Sequence, residues 1–179
     1  MTIKRLYHTI RIALMKNGYM RAAYLNKIHA FKSQGNHVNW QPRYIPPESE
    51  LIKIGNNVVI ASEVLFINHD GIHYVLNNLN HEENAYKIHL GCIEIGDNVF
   101  IGSRTIICPN VKIGSNVIIG AGSVVVKDIP GGIIAGGNPA KEIGKFDKLV
   151  YTRKFEAPEK RKKIDRFDDT WLKFYKKQK

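Results

Sequence analysis

Cysteine is scarce in this chain: Cys92 and Cys108 are the only two among 179 residues. They form no disulfide framework, so a stapled secreted mini-domain is excluded, and both thiols are expected to be reduced in a cytoplasmic protein. No run of eighteen apolar residues occurs, which excludes a membrane-spanning helix. Residues 1–14 carry bases but neither a continuous apolar stretch nor a small-residue cleavage site, and no secretory signal is expected. Acid is absent from residues 1–47, where eight Lys and Arg give +8. Residues 48–140 carry −4 and residues 141–179 carry +7, so the formal +11 resides on the two ends and the middle is mildly acidic. No nucleic-acid recognition motif accompanies this charge, and no nucleic-acid partner is expected. The basic ends read either as solvated helices or as a source of attraction to an anionic partner: membrane phosphates, a charged glycan or a phosphate-bearing cofactor.

What the chain does have is a period of six. Ile95, Ile101, Ile107, Ile113, Ile119 and Val125 recur without a slip. Four residues after each stands a second small or β-branched set, Val99, Thr105, Val111, Val117, Ser123 and Ile129. The register reappears upstream at Ile54, Ile60 and Phe66, with Val58 and Val64. Six fits neither the 3.6 period of a helix nor the alternation of an ordinary strand. It fits a coil of short parallel strands joined by tight turns, one residue of each hexad pointing to the axis, three hexads to a triangular turn. The length suffices for one sizeable core and not for two ordinary domains.

The rest is organised around that coil. Residues 1–34 space apolar groups mostly by three or four, which predicts two short amphipathic helices broken near Asn17–Gly18. The repeat domain is expected over 35–140, with 35–50 irregular or a degenerate first coil. Within it, 70–92 leaves the register, either as a loop thrown out or as a coil whose signal is lost; its polarity favours the loop. Long loops on regular scaffolds are usually functional. Residues 141–179 are expected to be a basic helical tail, with Trp171, Leu172 and Phe174 as an apolar patch. So short a prism is expected to bury a face against copies of itself in a closed homo-oligomer.

The segment IGDNVFIGSRTIICPNVKIGSNVIIGAGSVVVKDIPGGIIAGGNPAK, Ile95 to Lys141, together with INHDG at 67–71, resembles the left-handed β-helix acetyltransferases that use acetyl-CoA. The nearest branch is that of the maltose, galactoside and capsular-polysaccharide O-acetyltransferases. The resemblance covers 51–141. It implies a mainly β fold, a left-handed parallel β-helix, a homotrimer with active sites between subunits, and no metal. It also places Ser103 near the pantetheine thiol end and Gly120, Ala121 and Gly122 where exposed backbone admits the pantetheine arm. Val126 and Lys127 would flank the adenine, and Lys141, after Pro139, would meet the 3′-phosphate. Val126 stands where relatives often have Thr, and Gly144 where some have Arg, a role Lys145 would take over.

The chemistry is argued from the residues as well. Acetyl transfer to a hydroxyl needs a base, an oxyanion donor and two substrates in line. Imidazole suits the base. Of seven histidines only His69 stands at a coil exit beside the polar loop, with Asp70 or a backbone carbonyl to orient it. His73 and Asn68 are candidates for contacting the acceptor; His81 and His89 read as ordinary loop residues. The expected function is O-acetylation of a sugar hydroxyl in building or decorating a surface polysaccharide, with the basic N-terminal segment in peripheral contact with the inner face of a membrane. The rivals are an N-acetyltransferase on an amino-sugar nucleotide, an antibiotic acetyltransferase, a γ-carbonic-anhydrase-like zinc enzyme and a non-enzymatic β-helix. Residues 93–130 hold no histidine, which speaks against zinc.

Overall fold

The apolar register becomes strands of two to five residues that stack into three sheets, parallel but for the last strand. The computed structural model describes residues 3–80, 85–154 and 163–176. Sheet A holds β1 (Ser33–Gln34), β3 (Ile52–Ile54), β6 (Ile93–Ile95) and β9 (Val111–Ile113). Sheet B holds β2 (Asn39–Trp40), β4 (Val58–Ile60), β7 (Val99–Ile101), β10 (Val117–Ile119), β12 (Ile133–Gly136) and β13 (Lys141–Lys145). Sheet C holds β5 (Leu65–Phe66), β8 (Ile106–Ile107) and β11 (Val124–Val125). The chain visits A, B and C in turn, as a coil must. Successive coils pair eighteen residues apart, Ile95 with Ile113 and Val99 with Val117.

The residue of each hexad expected to point inward is buried, and so is the second set four residues on. Ile95, Ile101, Ile107, Ile113, Ile119 and Val125 are at most 2% exposed. Thr105 and Ser123, polar members of the second set, are also buried. Their hydroxyls donate to turn carbonyls, Thr105 Oγ1 to Gly102 O at 2.7 Å and Ser123 Oγ to Gly120 O at 2.6 Å, which satisfies them inside the coil. Asn57, Asn98 and Asn116 take left-handed backbone at the A-to-B corner, and their side chains form a ladder of 2.9 Å hydrogen bonds. Gly102 abuts the next coil so closely that an added Cβ would lie 2.4 Å from Ala121 N.

The ends are closed differently. Trp40 stacks on Phe66 with centroids 5.4 Å apart and meets Phe31 at 5.0 Å. Helices α1 (Ile3–Leu14) and α2 (Gly18–Lys27) add Ile12, Ala22 and Leu25 to that plug. Buried Arg21 pins the plug, donating from Nε to Trp40 O at 2.9 Å and from an NH group to Met15 O at 2.7 Å. At the other end β12 turns back antiparallel onto β13. Residues 141–145, expected as the start of a helical tail, are therefore the last strand of sheet B: Lys141 pairs with Gly136 and carries the chain back along the sheet. A partial first coil begins with β1, just before the irregular 35–50 region, and continues into it with β2, since β1 and β2 pair with β3 and β4.

Between Phe66 and Ile93 the chain makes an excursion. Ile54 pairs with Ile95 and Leu65 with Ile106, forty-one residues on instead of eighteen. The polar composition suggested an irregular loop, yet 72–80 forms helix α3 (Ile72–Asn80). Asp70 Oδ1 accepts from Ile72 N at 3.0 Å and starts it. Residues Met1–Phe146 form one unit and Asp147–Lys179 another, the latter containing most of α4 (Phe146–Lys154) and all of α5 (Lys163–Lys176).

Candidate active site

His69 leaves the coil just after β5, and three contacts fix its backbone. It bridges antiparallel to Leu90, Gly91 N donates to Asn68 O at 2.7 Å, and Asn68 Nδ2 donates to Gly91 O at 3.0 Å. Both ends of the excursion are thus tied together at the histidine. Asn68 is 1% exposed; its Nδ2 joins this clasp, and its Oδ1 is buried without a partner.

The partner of His69 comes from upstream. Glu48 Oε2 lies 2.5 Å from His69 Nδ1, with both side chains a little more than one third exposed. Glu48 holds left-handed backbone, φ 43° and ψ 42°, an uncommon choice for a non-glycine residue. Tyr44, four residues before, ties this segment to β5: its hydroxyl donates to Val64 O at 2.7 Å and accepts from Phe66 N at 3.3 Å. Burial pushes the Tyr44 phenol up to about 12, so it keeps its proton and the donation to Val64. A carboxylate only accepts, so the hydrogen of the neutral imidazole sits on Nδ1 and the lone pair on Nε2.

Asp70, adjacent in sequence, does not fill this role. Its carboxylate faces Ile72 N as the cap of α3, and Glu48 occupies the imidazole nitrogen. His73 lies on α3 with its ring 4.1 Å from that of Tyr74 and its Nδ1 buried without a partner. His89 Nε2 accepts from Asn110 Nδ2 at 3.2 Å, and His81 lies outside the described residues. Sequence reading missed Glu48 and Tyr44. The one signal was that Glu48 ends the acid-free stretch, as the first carboxylate of the chain.

The residues assigned to coenzyme A divide between two edges of the prism. Ser103 and Gly120, Ala121 and Gly122 occupy turns between sheets B and C, and Gly122 N donates to Ser103 O at 2.8 Å. Gly122 has φ +70° and open space where a Cβ would stand, so this edge presents bare backbone. Val126 and Lys127 lie on the C-to-A edge, after β11, the same edge from which His69 emerges two coils earlier. Pro139 and Lys141 belong to the turn and strand after β12. Lys145 pairs with Glu142 at 2.5 Å. Within one chain, sheet C therefore separates His69 from Ser103 and the Gly120–Gly122 turn.

A family profile described as bacterial transferase hexapeptide (six repeats) matches residues 92–127. Protein CapG of Staphylococcus aureus is 46% identical over 123 residues, 64% of this chain and 69% of that protein. The chain belongs to the hexapeptide-repeat acetyltransferase family. Galactoside O-acetyltransferase of Escherichia coli K12 is 40% identical over 110 residues, 59% of this chain and 51% of that protein, so about half its length is spanned. A hexapeptide-repeat acetyltransferase from Vibrio cholerae shares the fold with a TM-score of 0.61 at 22% identity, covering 80% of this chain and 89% of the other. A galactoside acetyltransferase solved in complex with coenzyme A gives a TM-score of 0.57 at 25% identity, with 83% of each chain covered.

Proposed function

We propose that this enzyme is an acetyl-CoA-dependent O-acetyltransferase acting on a sugar hydroxyl, in the building or decoration of a surface polysaccharide. The observation that carries this reading is the His69–Glu48 pair at the exit of a hexapeptide coil. The kinship with galactoside O-acetyltransferase supports the sugar acceptor, and the hexapeptide repeat supports a left-handed coil. His69 Nε2 takes the proton of the acceptor hydroxyl as its oxygen adds to the thioester carbonyl, and returns it to the departing sulfur. Glu48 holds the ring and stabilises the imidazolium between the two transfers. Asp70 acts through the shape of the loop it caps, and His73 meets the acceptor from α3.

We place the active site between two copies of a homotrimer, because sheet C separates His69 from the turns assigned to the pantetheine arm. In this arrangement Ser103, Gly120, Ala121, Gly122, Val126, Lys127, Pro139 and Lys141 hold acetyl-CoA. The outward face of α1, with Ile3, Leu6, Tyr7, Ile10 and Leu14 exposed on an acid-free segment, is read as a contact to a membrane-borne acceptor. Deleting this segment would remove buried Ile12 and Leu25 from the plug, so the test is Ile3→Ser with Ile10→Ser, which should lower turnover of lipid-linked acceptor only.

The deciding experiment follows thiol release from acetyl-CoA with a panel of sugars, sugar nucleotides and amino-sugar nucleotides, with His69→Ala beside wild type. Wild type should release thiol with a sugar hydroxyl acceptor, and the variant at least a hundredfold more slowly. An amine as the sole responsive acceptor establishes N-acetylation instead, and equal rates for both proteins overturn the assignment of the base.

A further inference from the structure

Helix α5 carries its large apolar residues on one side. Phe167, Trp171, Phe174 and Tyr175 recur at spacings of three and four and so share a face. Their rings gather: Trp171 lies 5.7 Å from Phe174 and 5.9 Å from Tyr175, and Phe174 lies 5.6 Å from Tyr175. All four, and Leu172 beside them, are 49–60% exposed. The charge on this stretch is of one sign. Residues 171–179 read Trp-Leu-Lys-Phe-Tyr-Lys-Lys-Gln-Lys, four lysines and no acid, whereas the three acids of α5, Asp165, Asp168 and Asp169, all precede Trp171.

We propose that α5 is a membrane-surface anchor whose ligand is an anionic lipid bilayer. The aromatic face enters the boundary between headgroups and acyl chains, and Lys173 and Lys176 meet lipid phosphates. Two features choose this occupant. A purely ionic partner such as a polyphosphate or acidic glycan satisfies the lysines and leaves the aromatic face in water. A second copy of the helix covers the aromatics and brings Lys173 and Lys176 of both copies together. An anionic bilayer satisfies both sets at once, which is the composition of an interfacial helix. The inference does not rest on the acetyl-transfer reading, nor on α1.

The test uses the full chain and its intrinsic fluorescence. The two tryptophans are Trp40, buried, and Trp171, 58% exposed, so a blue shift on binding reports Trp171. The protein is mixed with vesicles of pure phosphatidylcholine or with one quarter phosphatidylglycerol. The expected result is flotation with anionic vesicles at least tenfold stronger than with neutral ones, a blue shift, and weakening as salt rises. Trp171→Ala with Phe174→Ala, and separately Lys173→Gln with Lys176→Gln, should each lower the bound fraction at least fivefold with far-UV circular dichroism unchanged. Absence of anionic-vesicle binding overturns the proposal, as does undiminished binding of either variant. Equal binding to polyphosphate beads without a blue shift assigns the lysines to a soluble polyanion, and a blue shift that grows with protein concentration without lipid assigns the face to self-association; both overturn it.

Discussion

At the residue scale, the carboxylate of Glu48 sits on Nδ1 of His69, so the base proposed above is Nε2. Glu48→Ala leaves the ring free to adopt either tautomer. Glu48→Gln is worse, because its amide can donate to Nδ1 and force the hydrogen onto Nε2, the nitrogen that must accept. The expected order in kcat is therefore wild type, then Ala, then Gln, with losses of about tenfold to a thousandfold and acceptor KM within about twofold. Steady-state kinetics checks it, and a Gln variant faster than Ala would remove Glu48 from the mechanism. Tyr44 acts one step further away, since its hydroxyl ties the Glu48 segment to β5. Tyr44→Phe should cost about 1–2 kcal/mol in chemical denaturation. The sign with pH follows from burial. The folded phenol titrates near 12 and the unfolded one near 10, so this residue's contribution is complete below pH 10 and is lost as pH rises toward 12. Stability curves of wild type and Tyr44→Phe should therefore converge across that interval.

At the scale of elements, the hexad was legible because every sixth residue meets the same axis, so one rule of size and branching repeats without exception from Ile95 to Val125. Two small residues test what the repeat encodes. Gly102→Ala drives a Cβ to 2.4 Å from the backbone of the next coil and should cost about 2–3 kcal/mol, whereas Gly122→Ala meets open space and carries only the left-handed strain of about 1 kcal/mol. Thermal melts that reverse this order would place the tight inter-coil contact elsewhere. What the sequence concealed was whatever departed from the rule. The first coil is irregular because Ser33 pairs with Lys53 at a spacing of twenty, not eighteen, and offers two short strands with only Trp40 as a large inward residue. Helix α3 hid in a polar segment because its start depends on one Asp70 contact and its apolar residues Ile72, Tyr74, Val75 and Leu79 stay exposed. The His69–Glu48 pair spans twenty-one residues and exists only because Tyr44 lays one segment along another, a contact no local spacing encodes.

For the whole molecule, the outward residues of the three sheets argue about assembly. Sheet A carries a charged ladder, Lys53 to Glu94 at 3.8 Å and Lys112 to Glu94 at 2.8 Å. Lys112 above all, with Lys53, holds the Glu94 carboxyl below its ordinary range, and the ladder suits a face left in water. Sheet B turns Val59, Phe100, Ile118 and Ile134 outward from β4, β7, β10 and β12, with Asn39 at the matching position of β2, and sheet C turns Leu65, Ile106 and Val124 outward. Apolar stripes on two adjoining faces and charge on the third suit a ring in which sheet B or C of one copy meets its neighbour. Such a ring would set His69 of one copy against Ala121 of the next, and this arrangement has a consequence that a site within one chain lacks. His69→Ala removes the base, and Ala121→Trp fills the groove assigned to the pantetheine arm. Each alone should be inactive. Coexpressed in equal amounts, they should form mixed trimers in which one interface of three pairs an intact His69 with an intact Ala121. Random mixing then restores about one quarter of wild-type activity per trimer, by the statistics of a closed three-fold ring. If both substitutions sat in the same active site of a single chain, every mixed trimer would stay inactive, and the recovered activity after coexpression therefore decides where the site is built.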